Sequence, residues 1–187
     1  LPSSFYGNIP KIIEFIIKWK PQTILDIGVG FGKFGLLCRE YMDVYDKKAY
    51  GKWYTRIDGI EVWPHSILSH HEQIYDNIYI GNCINVLPLI KIKYDVILMI
   101  DVLEHMRKKD GYKCVELIKD KCNRAIFQVP IGDWPQGAIF GNPYEVHISS
   151  WQENELRSLG DIEFFHISQY PPSKPISLFI IKSDITK

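Results

Sequence analysis

Two groups of residues in this chain have types and spacings that can do chemistry. The first is Asp26-Ile27-Gly28-Val29-Gly30-Phe31-Gly32, an acid inside an apolar run that spills into alternating glycines. Glycines there remove side chains where the backbone must turn and let a ligand lie against bare main chain, while a helix start just beyond offers unpaired N–H groups. That is the chemistry of a nucleotide-type cofactor site. The second group is Asp101, Glu104 and His105, with His147 further along the chain. Carboxyls and imidazoles of this kind hold or move protons near neutral pH.

These residues need a scaffold, and the periodicity of the sequence supplies one. Ile24, Leu25 and Ile27 read as a buried strand between two helices, one over residues 8–20 with Pro10 in its first turn and Pro21 closing it, the other running on from Phe34. Residues 43–56 are charged, rich in tyrosine and without a clean period, which reads as a loop insertion. A second strand follows over 56–60 and ends at Glu61, then a short helix over 65–73, a third strand over 77–80 and a helix over 84–90. Residues 94–100 form a nearly continuous apolar run, the pattern of a strand buried on both faces of a parallel sheet. A helix over 109–122, a fifth strand over 124–129 and a lid-like loop over 130–150 come next. A short helix over 151–159, closed by Gly160, leads to two strands at 162–167 and 176–181 with a proline-rich turn between them. Strands alternating with helices imply an α/β three-layer sandwich, a doubly wound and mostly parallel sheet, with the last two strands paired antiparallel.

Composition sets further bounds. With 187 residues, 46% hydrophobic and 24% charged, the chain fits a single folded domain over 1–187. Its 22 basic and 22 acidic side chains cancel, so no global field draws it to nucleic acid or to an anionic membrane. Cys38, Cys83, Cys114 and Cys122 lack the paired spacings of a zinc site or the density of a disulfide scaffold, and read as reduced thiols of a cytoplasmic protein. Residues 1–4 show no signal pattern, and no apolar run approaches the roughly 18 residues of a membrane span.

Which cofactor the glycine loop takes is decided by register. A dinucleotide fingerprint places its third glycine five residues after the first and an acid about 20 residues on. Here the fifth residue after Gly28 is Lys33, and the acid ending the second strand is Glu61, much later. The D-x-G-x-G-x-G pattern with an acid ending strand two resembles the class I S-adenosylmethionine-dependent methyltransferases, over nearly the whole chain. The resemblance implies a seven-stranded sheet with an antiparallel last strand. It implies that Asp26, Gly28, Gly30, Gly32 and Phe34 hold the methionine half of S-adenosylmethionine, and that Glu61 accepts from the ribose hydroxyls. By the same resemblance Asn82 and Cys83 line the adenine, Asn82 standing where the family usually has an acid, and Asp101 opens the motif on the methyl-transfer side.

The acceptor side is read from the residues themselves. Strand carboxyl ends are where ligands bind in open α/β sheets, which makes Asp101, Glu104 and His105 site residues; capping and surface roles are the competing reading. His105 and His147 are the candidate bases, with Glu104 beside them, and Trp134 is either an acceptor contact or loop filler. Asp101, Glu104 and His105 could share one helical face and, with His147, hold a divalent metal, as in some metal-dependent O-methyltransferases; the metal-free reading is favoured. The expected activity is methyl transfer to an oxygen of a small-molecule or glycan-like acceptor. A nicotinamide-dependent oxidoreductase and a non-catalytic partner subunit that binds S-adenosylmethionine are the alternatives. Thermal-shift measurements separate the cofactors: S-adenosylhomocysteine (SAH) at about 100 times its dissociation constant should stabilise the fold by roughly 2.7 kcal/mol, and NADH should not.

Overall fold

The computed structural model describes residues 4–48, 50–170 and 174–183. The proline-rich turn at 171–173 and residues 1–3 of the segment read as lacking a signal pattern lie outside the described residues.

The seven strands are β1 (Thr23–Ile27), β2 (Arg56–Glu61), β3 (Asn77–Ile80), β4 (Tyr94–Ile100), β5 (Cys122–Pro130), β6 (Ile162–Tyr170) and β7 (Lys174–Lys182). They form one sheet in the order β3-β2-β1-β4-β5-β7-β6. β1 pairs in parallel with both β2 and β4, and β7 lies antiparallel between β5 and β6. The strand order reverses between β1 and β4, so their carboxyl ends diverge and open a crevice. Alternation across the pleat sends Leu25, Ile97 and Met99 to one face and Ile24, Val96 and Leu98 to the other. Both faces are buried, as the apolar run of β4 requires.

Helices cover each face. On one side α1 (Ile9–Trp19), α2 (Lys33–Arg39) and α3 (His71–Ile74) bury Ile12, Ile16, Phe34, Cys38 and Ile74. On the other, α4 (Cys83–Val86), α5 (Lys108–Lys121) and α6 (Glu153–Arg157) bury Cys83, Cys114, Val115, Ile118 and Leu156. This is the expected three-layer sandwich. No helix among the described residues is long and apolar enough to cross a membrane.

Several elements are shorter than the periodicity suggests. The helix expected over 65–73 is a single turn at Pro64–Ser66 followed by α3, and the one over 84–90 is α4 followed by a tighter turn at Leu87–Leu89 that holds Pro88. α6 starts from a capping box in which Gln152 and Glu155 exchange backbone contacts, two residues later than expected.

The segment read as an insertion from residue 43 needs a larger correction. α2 continues through Glu40–Asp46 as a π-helix, whose wider turn breaks the 3.6-residue period. Asp43 looks solvated in sequence but is 0% exposed. Its carboxylate accepts from Arg39 at 2.9 Å and from the Tyr54 and Thr55 amides. Arg39 also donates to the Ile74 carbonyl, the Thr55 carbonyl and Asp76, so one buried guanidinium ties α2 to α3 and to the start of β2. Removing it strands a buried carboxylate. Arg39→Ala should therefore lower stability by about 3–5 kcal/mol in chemical denaturation, well beyond the effect of truncating an exposed arginine.

Candidate active site

The glycine loop leaves β1 with Gly28, Gly30 and Gly32 all at positive φ, 82°, 52° and 83°. A Cβ on Gly28 would stand 2.5 Å from Val102, so both the turn and the neighbouring β4 segment demand glycine there. The loop is stitched to the end of β2. Gly28 and Val29 donate to the Ile60 carbonyl, and Gly30 donates to Glu61 Oε2 at 2.9 Å. Glu61 Oε1 accepts from the Trp63 amide at 2.8 Å. A carboxylate has about four lone-pair sites, so acceptor capacity remains for a ligand.

A cavity of about 570 Å³ opens over these carboxyl ends. Of the residues assigned to the cofactor, Gly28, Gly30, Phe34, Glu61, Asn82, Cys83 and Asp101 line it. Asp26 and Gly32 do not; they stand behind the wall. Asp26 is 3% exposed and accepts from the Tyr75 hydroxyl at 2.6 Å. Burial pushes its carboxyl up to about 7, against the hydrogen bonds from Tyr75 and from the Gly35 amide that lower it. Its role is a brace under the loop, and Gly32 is the turn that starts α2. The Asn82 side-chain oxygen caps α4 by accepting from the Ile84 amide at 3.0 Å.

Beyond β4, the expectation that Asp101, Glu104 and His105 share a helical face does not hold. Asp101 sits at φ 53° and only Leu103–His105 forms a helical turn, so the backbone swivels between the first acid and the other two residues. Asp101 accepts from Gln128 at 2.7 Å and from the Phe5 amide at 3.2 Å through one oxygen, while the other is buried without a partner. Burial raises its carboxyl to about 6, offset by those hydrogen bonds and by the charge of Lys33.

Glu104, His105 and His147 do come together: one donor atom from each lies within 4.8 Å of the others. The imidazole rings meet edge to face, centroids 4.7 Å apart. His105 Nδ1 is 3.2 Å from the Val146 carbonyl and His147 Nδ1 is 2.6 Å from the Trp134 carbonyl. A carbonyl only accepts, so these contacts assign the ring proton to Nδ1 and leave Nε2 with a lone pair on each histidine. Burial lowers both imidazoles from their ordinary value, and for His147 the neighbouring His105 lowers it further. Glu104 is 2% exposed, with an unpartnered Oε2. Burial and then the charge of Asp101 hold its carboxyl well above the usual range.

The segment over 130–150 forms the roof. The Trp134 indole donates to the Ile131 carbonyl, Gln136 to the Glu145 carbonyl and the His147 amide to the Gln136 carbonyl, so the loop is cross-braced and carries Trp134, Gln136, Tyr144 and His147 into the cavity wall. Sequence reasoning missed two wall elements, Phe5 and Tyr6 before α1 and Tyr170 at the end of β6, and the buried Gln128 that supports Asp101 from behind the wall. Only Gln128 carried a signal, as a polar residue inside an apolar strand.

No protein-family model and no curated protein matches the chain. Solved structures do. TehB from Haemophilus influenzae superposes with a TM-score of 0.67 at 13% identity, over 96% of this chain. The chain spans 64% of TehB, so it corresponds to part of that protein. A SAM-dependent methyltransferase from Archaeoglobus fulgidus matches with a TM-score of 0.64 at 16% identity, over 92% of this chain and 91% of its own. The N-terminal domain of EvdMO1, solved in the presence of SAH and D-fucose, matches at 0.61 and 12% identity, over 97% and 84%. Together with the strand order, these define the fold as that of the class I S-adenosylmethionine-dependent methyltransferases.

The raised Asp26 carboxyl has a measurable signature. Between its ordinary value of 3.8 and about 7 it is protonated in the folded chain and ionised in the unfolded one. Stability therefore falls as pH climbs through that window, with the full penalty above it. Asp26→Asn should gain melting temperature relative to the parent at pH 8 and lose that advantage at low pH, as read by thermal denaturation across pH.

Proposed function

We propose that the protein transfers a methyl group from S-adenosylmethionine to an oxygen of a small-molecule or glycan-like acceptor. The observation that carries this reading is the pair His105 and His147 in the cavity wall, each with Nδ1 on a backbone carbonyl and Nε2 left basic. The loop chemistry fits the cofactor: bare main chain at Gly28 and Gly30, and at Glu61 a carboxylate with acceptor sites to spare for two adjacent hydroxyls. The cofactor supplies an electrophilic methyl on a sulfonium sulfur.

The chain's own residues then have three tasks. Glu61 and the glycine loop fix the nucleoside end, and the wall from Asn82 to Cys83 bounds the base. Trp134, Tyr144 and Tyr170 enclose the acceptor and displace water from the line of attack. A histidine Nε2 takes the acceptor hydroxyl proton as the oxygen–carbon bond forms and the carbon–sulfur bond breaks. Burial and the charge of Asp101 raise the Glu104 carboxyl, which favours its neutral form and points to the histidines as the basic groups. The D-fucose present with the EvdMO1 domain supports a sugar hydroxyl as acceptor.

A second reading rests on the same triad. The convergence of Glu104, His105 and His147, the orphaned Glu104 oxygen and the carbonyl-fixed Nδ1 atoms suit a divalent cation, which would polarise the acceptor oxygen. Asp101, bound to Gln128 and Phe5, stands outside that donor set.

A screen of sugar acceptors, followed by SAH release, tests the activity. With an accepted sugar, kcat/KM should rise with pH through an apparent pKa below 6.5 and stay flat above it, because the base acts neutral. Replacing the working histidine, His105→Ala or His147→Ala, should cost about 10²- to 10⁴-fold. If both variants keep the parental rate, the base assignment is wrong; full turnover after exhaustive chelation removes the metal reading.

A further inference from the structure

The Gly30–Phe31 peptide at the centre of the glycine loop is held in an unusual way. His71, 0% exposed on α3, places Nε2 at 3.0 Å from the Gly30 carbonyl. Its Nδ1 lies 3.0 Å from the Leu68 amide and 3.1 Å from the Leu68 carbonyl, and because the Gly30 carbonyl only accepts, the contact to it is made by a proton on Nε2. The next residue back, His70, places Nε2 at 3.1 Å from the Phe31 carbonyl. On the other side of Gly30, its N–H is taken by Glu61. Tyr75, just past α3, secures Asp26 beneath the same loop.

A trans peptide points its C=O and N–H in opposite directions. With the Gly30 carbonyl turned back to His71, the Phe31 N–H of that peptide turns away from α3, to the side on which Gly30 and Phe31 line the cavity. Among the described residues no protein acceptor takes it. A main-chain N–H without a partner beside a ligand cavity is a donor waiting for a ligand acceptor.

We infer that His71 is a positioning residue for the cofactor: by holding the Gly30 carbonyl, it aims the Phe31 N–H at the carboxylate of the cofactor's amino-acid portion. This rests on the cofactor assignment above. His71 touches no ligand, and its effect is confined to the amino-acid end, because the nucleoside end is held by Glu61 and the residues after β3. Loss of His71 frees the peptide to rotate and removes one charge-assisted hydrogen bond.

The test compares two probes that share a nucleoside. SAH carries the amino acid, and 5′-methylthioadenosine lacks it. In calorimetry on folded protein, His71→Leu should bind SAH about tenfold more weakly than the parent and 5′-methylthioadenosine within about twofold, since the lost hydrogen bond reaches only one probe. His71→Gln, whose amide can replace Nε2–H, should restore most of the SAH affinity. Should His71→Leu fail to fold, the parent protein carries the same test by NMR: the Phe31 amide should move downfield with SAH and not with 5′-methylthioadenosine, and His71 should bear its proton on Nε2. Equal weakening of both probes, an unchanged SAH affinity, or a Phe31 amide that responds alike to both overturns the inference. A parent protein that binds neither probe overturns the cofactor assignment itself, and the inference falls with it.

Discussion

The carboxylate of Glu61 accepting the Gly30 amide is the contact on which the site depends. It joins the last residue of β2 to the middle of the loop that follows β1, so the two strands cannot move apart independently at this end of the crevice. The Ile60 carbonyl reinforces it by accepting from Gly28 and Val29. Because both oxygens of Glu61 shape the protein and neither is saturated, the residue that would read a ribose also sets the wall against which the ribose would lie. A ligand that met Glu61 would meet a loop already in place.

The part of the cavity wall that follows β4 is organised by backbone strain and buried polarity. Asp101 adopts a left-handed conformation that residues other than glycine, asparagine and aspartate seldom take, and it is bound there by Gln128 and the Phe5 amide. That swivel sends a compact sequence motif in two directions. Asp101 lines the cavity beside β4, while Glu104 and His105 turn toward His147, 42 positions after His105 in the numbering of the chain. The roof loop reaches them through its own cross-bracing and through the amides of Ile148 and Ser149, which donate to the Glu104 carbonyl.

Much of the fold was legible because it rests on period. The apolar run of β4, the glycine register after β1 and the acid ending β2 are local signals, and the strands and helices they imply all exist. What sequence could not show is where polar side chains turn. Asp26 reads as a cofactor contact, and its carboxylate is found behind the cavity wall on Tyr75, a partner 49 residues away. Asp43 reads as solvent-facing and is buried, because Arg39 and two amides meet it inside a π-turn. Asp101 reads as part of a helix and is not, because its partners come from the neighbouring strand and from the segment before α1. In each case the deciding contact is long-range or breaks the helical period, and neither leaves a mark on spacing.

The placement of β7 has a consequence for how the molecule is made. Among the described residues it is the last strand in sequence, yet it lies between β5 and β6 and pairs with both. As the chain leaves the ribosome, β1 to β5 can assemble and form the crevice between β1 and β4 while one edge of β5, with Ile126 and Phe127 on its two faces, has no neighbour. β6 emerges next but has only β7 to pair with. The crevice can thus form before the sheet is closed, whereas Tyr170 and Ile176 join the cavity wall only once the β6–β7 hairpin has been made.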